Sequence, residues 1–224
     1  MEGRYPPALL VTLSDCTDIA REDEFNAWHE HVLVPALQSL GWVERPVRFR
    51  NVLAGSHTYQ GFPRYLTLAE VYREPSPDAW QEIVACRDRL VREGRGFDGI
   101  VSMIDALYAR TGPEIRTAAA SQPVTGVYLV FSYCRNGTRA EFDRWYDEVH
   151  APDVLALGYY HTAYRYTAAL KHPTVPEFLT VYETSADPLA ARNGLVGSRS
   201  LWANDSLWVN SLGLCWTGGF ARVG

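Results

Sequence analysis

Hydrophobic and polar positions change period several times along the chain, and each change marks an element. Ala8 to Ser14 is an apolar run that reads as a buried strand. From Phe25 the apolar positions Trp28, Val32, Ala36 and Leu40 step by three or four, the spacing of one helix face. Pro35 interrupts that helix and predicts a kink or a fresh helical start, and Gly41 suits its C-terminal cap. Trp42–Val52 and Tyr65–Tyr72 then read as strands. Ser76, Pro77 and Asp78 open a second amphipathic helix, and Ile100–Ala109 is a fourth strand. The first half is therefore strand, helix, strand, strand, helix, strand.

The same order returns. Phe25, Trp28, Val32, Pro35, Leu40, Gly41 and Arg48 recur as Phe142, Trp145, Val149, Pro152, Leu157, Gly158 and Arg165, at a constant offset of 117 positions. Val127–Tyr133, Phe142–Leu157, Tyr159–Tyr166, Phe178–Glu183, a helix opened by Asp187 and Pro188, and Leu207–Trp216 complete the second round. That last helix is weakened by Gly194 and Gly197, each costing about 1 kcal/mol relative to Ala. The pattern predicts an α+β chain of two tandem ferredoxin-like βαββαβ modules, at 1–111 and 125–224, joined by a linker at 112–124. Each module leaves one sheet face uncovered. Packing the two antiparallel sheets into one α/β barrel buries both and removes exposed edges.

Charge narrows the partners. A net charge of -5, with no basic patch in the sequence, argues against nucleic acid and anionic membranes. The absence of a long apolar run makes a cytoplasmic location the default expectation. Cys16, Cys86, Cys134 and Cys215 are widely spaced and read as buried free thiols. An intrachain barrel would let one chain stand as a monomer, with a homodimer left open.

The chemistry concentrates between Glu141 and Tyr166. Projection at 100° per residue puts Phe142, Trp145, Tyr146, Val149 and Asp153 on the inner face, with His150 on its flank. A neutral His150 there could serve as general base, Tyr146 could donate to an oxyanion, and Asp147 could orient the imidazole. On the next strand His161, Ala163 and Arg165 share a face by period two. The candidate catalytic residues are thus His150, Tyr146, Arg165 and His161. Trp145, Asp147, Tyr128, Glu183, His29 and Trp28 are candidates for substrate binding. Flat apolar surface with a few oriented polar groups suits a planar phenolic or β-keto substrate. The same side chains also fit a structural role, in which Arg165 pairs with Asp or Glu.

The first half differs. Leu33 replaces His150 and His29 replaces Tyr146, so catalysis is expected in the second half, with His29 a core histidine. His31 projects outward, so His29 and His31 cannot grip one metal, and no metal site is expected. His57 and His172 fall in matching loops and read as exposed.

These residues carry a resemblance. F-x-x-W-Y-x-x-x-H-x-P at Phe142, Trp145, Tyr146, His150 and Pro152, with Gly158 and Arg165 beyond it, resembles the dimeric α/β barrel superfamily, nearest its EthD-related members and the small polyketide cyclases and monooxygenases. The resemblance implies the fused barrel and a small-molecule substrate in specialised or catabolic metabolism. The first reading it supports is a cofactor-independent acid/base enzyme, a cyclase, dehydratase or isomerase. A cofactor-free or haem monooxygenase on an activated phenol is the second, and a non-catalytic binding protein the third. No phosphate loop, dinucleotide fingerprint or haem-attachment motif is present, and no cofactor is expected, although one axial histidine at His150 or His29 would leave no spacing signature.

Overall fold

A computed structural model of the chain describes residues 2–54, 63–202 and 210–223. The strands are β1 (Ala8–Cys16), β2 (Val43–Asn51), β3 (Tyr65–Val71), β4 (Ile100–Arg110), β5 (Ile115–Arg116), β6 (Gly126–Cys134), β7 (Thr162–Ala168), β8 (Phe178–Thr184) and β9 (Leu212–Arg222). All described pairings are antiparallel. Their order is β4-β1-β3-β2-β9-β6-β8-β7, and a further β4–β7 pairing closes an eight-stranded barrel. The seams are Phe49 to Asn51 of β2 on Phe220 to Arg222 of β9, and Tyr108 to Arg110 of β4 on Tyr166 to Ala168 of β7. Alternation along the strands sends Leu9, Val11, Leu129, Phe131, Tyr164 and Tyr166 into one apolar barrel core.

Among the described residues four helices cover the outside, and two of them are interrupted. The first consists of α1 (Glu22–Trp28), a π-turn at His29–Leu33 and α2 (Val34–Gln38). Its counterpart consists of α4 (Arg139–Trp145), a π-turn at Tyr146–His150 and α5 (Ala151–Ala156). The cause lies in Pro35 and Pro152, which lack the N–H that an α-helix needs there. The residue before each proline bonds five positions back instead: Val34 N–H to His29 O, and Ala151 N–H to Tyr146 O. The kink expected at Pro35 is thus a widened turn. Both interrupted helices end just before a glycine in the left-handed region, Gly41 at φ +78° and Gly158 at φ +79°.

The remaining helices are α3 (Pro77–Arg92) and α6 (Pro188–Gly197), whose first turns are capped by Ser76 and Asp187 as the sequence predicts. In α6 the two glycines differ. A Cβ at Gly194 would lie 2.4 Å from the Tyr159 ring, whereas one at Gly197 would meet nothing within 4 Å. Gly194→Ala is therefore expected to destabilise the protein despite the better helix propensity of alanine. Gly197→Ala should stabilise it by up to about 1 kcal/mol. Urea melts of the two variants should move in opposite directions.

Three sequence expectations need correction. The last strand runs from Leu212 to Arg222, because pairing with β6 and β2 carries it through Gly218 and Gly219 and beyond the expected end at Trp216; part of the expected Leu207–Trp216 strand lies outside the described residues, as does His57. The expected linker holds β5, which pairs with β7, and Val124, which is buried in the barrel core. Cys16 and Cys86 are buried, but Cys134 is half-buried and Cys215 exposed. No helix among the described residues is long and apolar enough to cross a membrane.

Candidate functional site

The π-turn decides which side chains of the second-half cluster face inward. An extra residue in the turn rotates the segment beyond it, so Val149, projected inward, is 43% exposed, and His150, projected to the flank, is only 4% exposed. The His150 ring stacks on Trp145 at 4.9 Å and meets Tyr146 edge-on at 4.9 Å. Tyr128 and Tyr182 join His150 around a cavity of about 30 Å³, which holds roughly one water. The Tyr146 hydroxyl lies 3.4 Å from that of Tyr182, and burial holds its pKa above the ordinary value.

Arg165 is spoken for. Its Nη1 donates to Asp147 Oδ1 at 2.6 Å and its Nη2 to Asp143 Oδ1 at 2.8 Å, while its guanidinium sits 4.5 Å over the Tyr146 ring. Burial works against the Arg165 charge, but the Asp147 and Asp143 carboxylates outweigh it and hold the pKa above the usual arginine value. Asp147, expected to orient His150, is committed to Arg165 instead. Glu183 also departs from expectation: period two places it with Val181 on the barrel side of β8, where it accepts from Tyr164 Oη at 3.1 Å and from the Glu2 N–H at 2.9 Å. His161 lines a separate recess, with Nδ1 2.8 Å from Thr162 Oγ1. His172 is exposed and engages Thr174 within its own turn.

The first half holds a larger opening. A recess of about 520 Å³ is lined by Asn26, His29, Glu30, Arg48, Arg50 and Tyr65, among others. Arg48 stands where Arg165 stands in the second half, but its surroundings have changed. At the same offset Asp143 is replaced by Asn26, and Asp147 by Glu30. Arg48 Nη2 donates to Asn26 Oδ1 at 3.0 Å, and its guanidinium lies 4.8 Å from the Phe25 ring centre and 4.2 Å from that of Tyr65. Its Nε and Nη1 are buried without a hydrogen-bond partner among the described residues. Burial pushes the Arg48 pKa down to about 10, with Tyr65 and Glu22 opposing only in part. One arginine is neutralised by two carboxylates; the other keeps its charge.

His29 shares this recess. Its Nε2 lies 2.8 Å from Thr67 Oγ1, and burial, aided by the Arg48 and Arg87 charges, pushes its pKa down to about 3. The ring is neutral in the fold at every pH where an unfolded histidine would begin to titrate. Between about 6.5 and 3 the unfolded chain takes up a proton that the native state refuses, so His29 should subtract up to about 1.4 kcal/mol per pH unit as pH falls. His29→Gln should flatten that part of the stability profile; an unchanged slope would contradict this environment. Trp28 does not line the recess; its Nε1 donates to Arg95 O at 2.8 Å, and its ring packs near Phe25 and Phe97.

Comparison with solved structures places this geometry on a known scaffold. A haem-binding protein from Thermus thermophilus superimposes with TM-score 0.59 at 12% identity, covering 99% of this chain and 92% of its own. A chlorite dismutase variant from Candidatus Nitrospira defluvii gives 0.59 at 13% identity, covering 97% and 91%. A dye-decolorizing peroxidase from Bacteroides thetaiotaomicron gives 0.59 at 9% identity, covering 99% and 94%. The likeness establishes the fold. No family model matches the sequence, and no curated protein matches it.

Chemically, the first-half recess offers the Arg48 and Arg50 guanidiniums, an aromatic wall and a neutral imidazole, with the carboxylates of Glu22, Asp23 and Glu30 on the same lining. The second-half cluster is closed around its own side chains. Arg48, Asn26 and Tyr65 were missed as site residues because the histidine of the motif pointed to the other half. The signal was present in the repeat: an arginine kept in both copies, with one of its two acidic partners, Asp143, replaced by the amide of Asn26. Among the described residues no group of three or more His, Cys, Asp or Glu side chains is placed to hold a metal ion.

Proposed function

We propose that this protein is an enzyme that binds a small, flat anion, a phenolate or the enolate of a β-dicarbonyl compound, in the first-half recess and oxygenates it. The observation that carries the reading is Arg48, a guanidinium in a recess of about 520 Å³ whose counterpart has two carboxylates and which itself has none hydrogen-bonded to it among the described residues. Stabilising the deprotonated substrate raises its electron density, which is what reaction with dioxygen requires. Conversion of an activated methylene to a carbonyl then balances without a reductant: one oxygen atom enters the product and the other leaves as water. The solved structures of like fold are named for haem binding, chlorite dismutation and peroxidation, chemistry at oxygen that agrees with this choice.

Acid/base turnover at His150 is less well supported, since a cavity of about 30 Å³ beside it admits no substrate. His29, with a pKa near 3, is too weak a base to deprotonate a phenol at neutral pH. The residues do not fit a haem either. Ligand pockets of that size class span roughly 300–1,000 Å³, which excludes the space beside His150, and the Nε2 of His29 is held by Thr67. We further assign the two halves, 1–111 and 125–224, to tandem ferredoxin-like modules, with the resemblance to EthD-related members part of the same proposal.

The test is an oxygen electrode with metal-free, flavin-free protein and a panel of β-diketones and naphthols. Oxygen uptake matching product, lost in Arg48→Leu, is expected. Substrate consumption without oxygen uptake would return the protein to the lyase or isomerase reading. Binding that depends on Arg48 without any turnover would make it a binding protein.

A further inference from the structure

We infer that Glu22 is the catalytic base of the Arg48 recess, its Oε2 taking the proton from the carbon or hydroxyl of a substrate whose oxygen lies on the Arg48 guanidinium. The inference rests on the reading of that recess as the substrate site. It names the group which that reading leaves open, since His29 is too weak a base.

The recess carries its cation and its carboxylate apart. Arg48, Asn26, Tyr65 and Glu22 all line it, and they form one run of hydrogen bonds. Arg48 Nη2 donates to Asn26 Oδ1 at 3.0 Å, Asn26 Nδ2 donates to Tyr65 Oη at 3.0 Å, and Tyr65 Oη donates to Glu22 Oε1 at 2.8 Å. The guanidinium lies 4.2 Å from the centre of the Tyr65 ring, while the carboxylate meets the hydroxyl at the ring's end. Burial first, and then the bond to Glu22, raise the Tyr65 pKa, so the phenol keeps its proton and is the donor in that last bond.

Oε1 is therefore occupied. Arg50 Nη2 and Arg64 Nε stand 3.8 and 4.0 Å from the same oxygen, too far for a hydrogen bond, and among the described residues no hydrogen bond reaches Oε2. The Glu22 side chain is 20% exposed, which lets a proton taken from substrate pass on to water. Asp23 and Glu30 line the same recess, but both are exposed, and among the described residues no hydrogen bond holds either carboxylate in place.

Comparison of the halves leads to the same residue. At the offset of 117 Glu22 is replaced by Arg139, and Tyr65, which pairs with Ser14, is replaced by Phe178, which pairs with Ser132. There the acids Asp143 and Asp147 sit directly on Arg165. An acid bonded to its arginine cancels it. An acid held one ring away leaves both charges to act on a third molecule, one as proton acceptor and the other as partner of the oxyanion that forms. For a β-dicarbonyl substrate the C–H bond breaks, its electron pair becomes the enolate double bond, the carbonyl oxygen takes the negative charge beside Arg48, and the proton bonds to Oε2. No oxidant is consumed, so the step can be followed without dioxygen.

The test is deuterium uptake by the methylene of acetoacetanilide, a flat β-keto amide, followed by proton NMR under argon with the full chain. Wild type should accelerate uptake over buffer, and Glu22→Gln, which keeps an oxygen for Tyr65 but cannot bind the proton, should lose about a hundredfold or more of that rate. Glu22→Asp, which keeps the carboxylate one carbon shorter, should retain more of it. The dissociation constant of benzoate, read at the His29 nitrogen-15 resonance, should not rise in Glu22→Gln, which shows that the recess is intact. Exchange by Glu22→Gln within about tenfold of wild type, or no acceleration by a wild type that binds benzoate, would overturn the assignment. Exchange that needs Glu22 but brings no oxygen uptake in air would uphold the base and overturn the oxygenation. Failure of wild type to bind benzoate would overturn the substrate site, and Glu22 with it.

Discussion

Arg165→Leu should lower the free energy of unfolding by about 3–5 kcal/mol, seen as a fall in the urea midpoint with little change in slope. The magnitude comes from the groups that the substitution leaves behind. Arg165 is 1% exposed, and Asp143 and Asp147 converge on it from one turn of the interrupted helix. Without the guanidinium two carboxylates face each other beside Tyr146, both largely withdrawn from solvent, and among the described residues Asp143 alone keeps a second cationic partner, Arg139. Removing the acids as well, in Asp143→Asn/Asp147→Asn/Arg165→Leu, should recover much of the loss, since replacing a buried ionic group whole is far less costly than breaking it. Arg48→Leu is the internal control. Its hydrogen-bonding partner is the amide of Asn26, so its removal strands no charge and should cost little stability. A loss below about 1 kcal/mol for Arg165→Leu would mean that the triad is solvated and that the contrast between the halves has been overdrawn.

The barrel was legible in the sequence because both signals that define it are local. Short apolar runs such as Val127 to Tyr133 name the strands, and Ser76 and Asp187 name helix starts through their own caps. The closure of the sheet followed from the repeat, since two half-covered sheets in one chain have each other to pack against. What the sequence hid was set by geometry that periodicity does not carry. The projection at 100° per residue assumed an unbroken α-helix, and the π-turns forced by Pro35 and Pro152 turned Val149 outward and His150 inward. Glu183 was read as a strand end, although its parity with Val181 already placed it on the barrel side. The site itself was obscured for another reason. Reactive residue types favour the copy that carries the Tyr146 and His150 motif, whereas an open charge is defined by what its neighbours lack, which only the pairwise comparison of Asn26 with Asp143 brings out.

That comparison supplies the sharpest experiment on the first half. Asn26→Asp converts the Arg48 environment toward that of Arg165, placing a carboxylate where an amide oxygen now accepts from Nη2 at 3.0 Å. The new ion pair should satisfy the guanidinium internally and stabilise the fold, because the Arg48 pKa, now held down by burial, would rise toward the value its counterpart shows. It should also cost binding of an anion. Losing a hydrogen bond to a charged group forfeits about 1.5–3 kcal/mol, which corresponds to roughly a ten- to hundredfold weaker affinity. Asn26→Asp is therefore expected to raise the urea midpoint while raising the dissociation constant for benzoate at the His29 resonance by that factor. Arg48→Lys, which keeps a charge but loses the planar fork held between Phe25 and Tyr65, should weaken binding without the gain in stability. The opposite movement of stability and affinity in a single substitution is what a structural arginine cannot produce. If Asn26→Asp left anion affinity unchanged, the charge of Arg48 would not be what the recess presents to its ligand, and the proposed substrate class would fall with it.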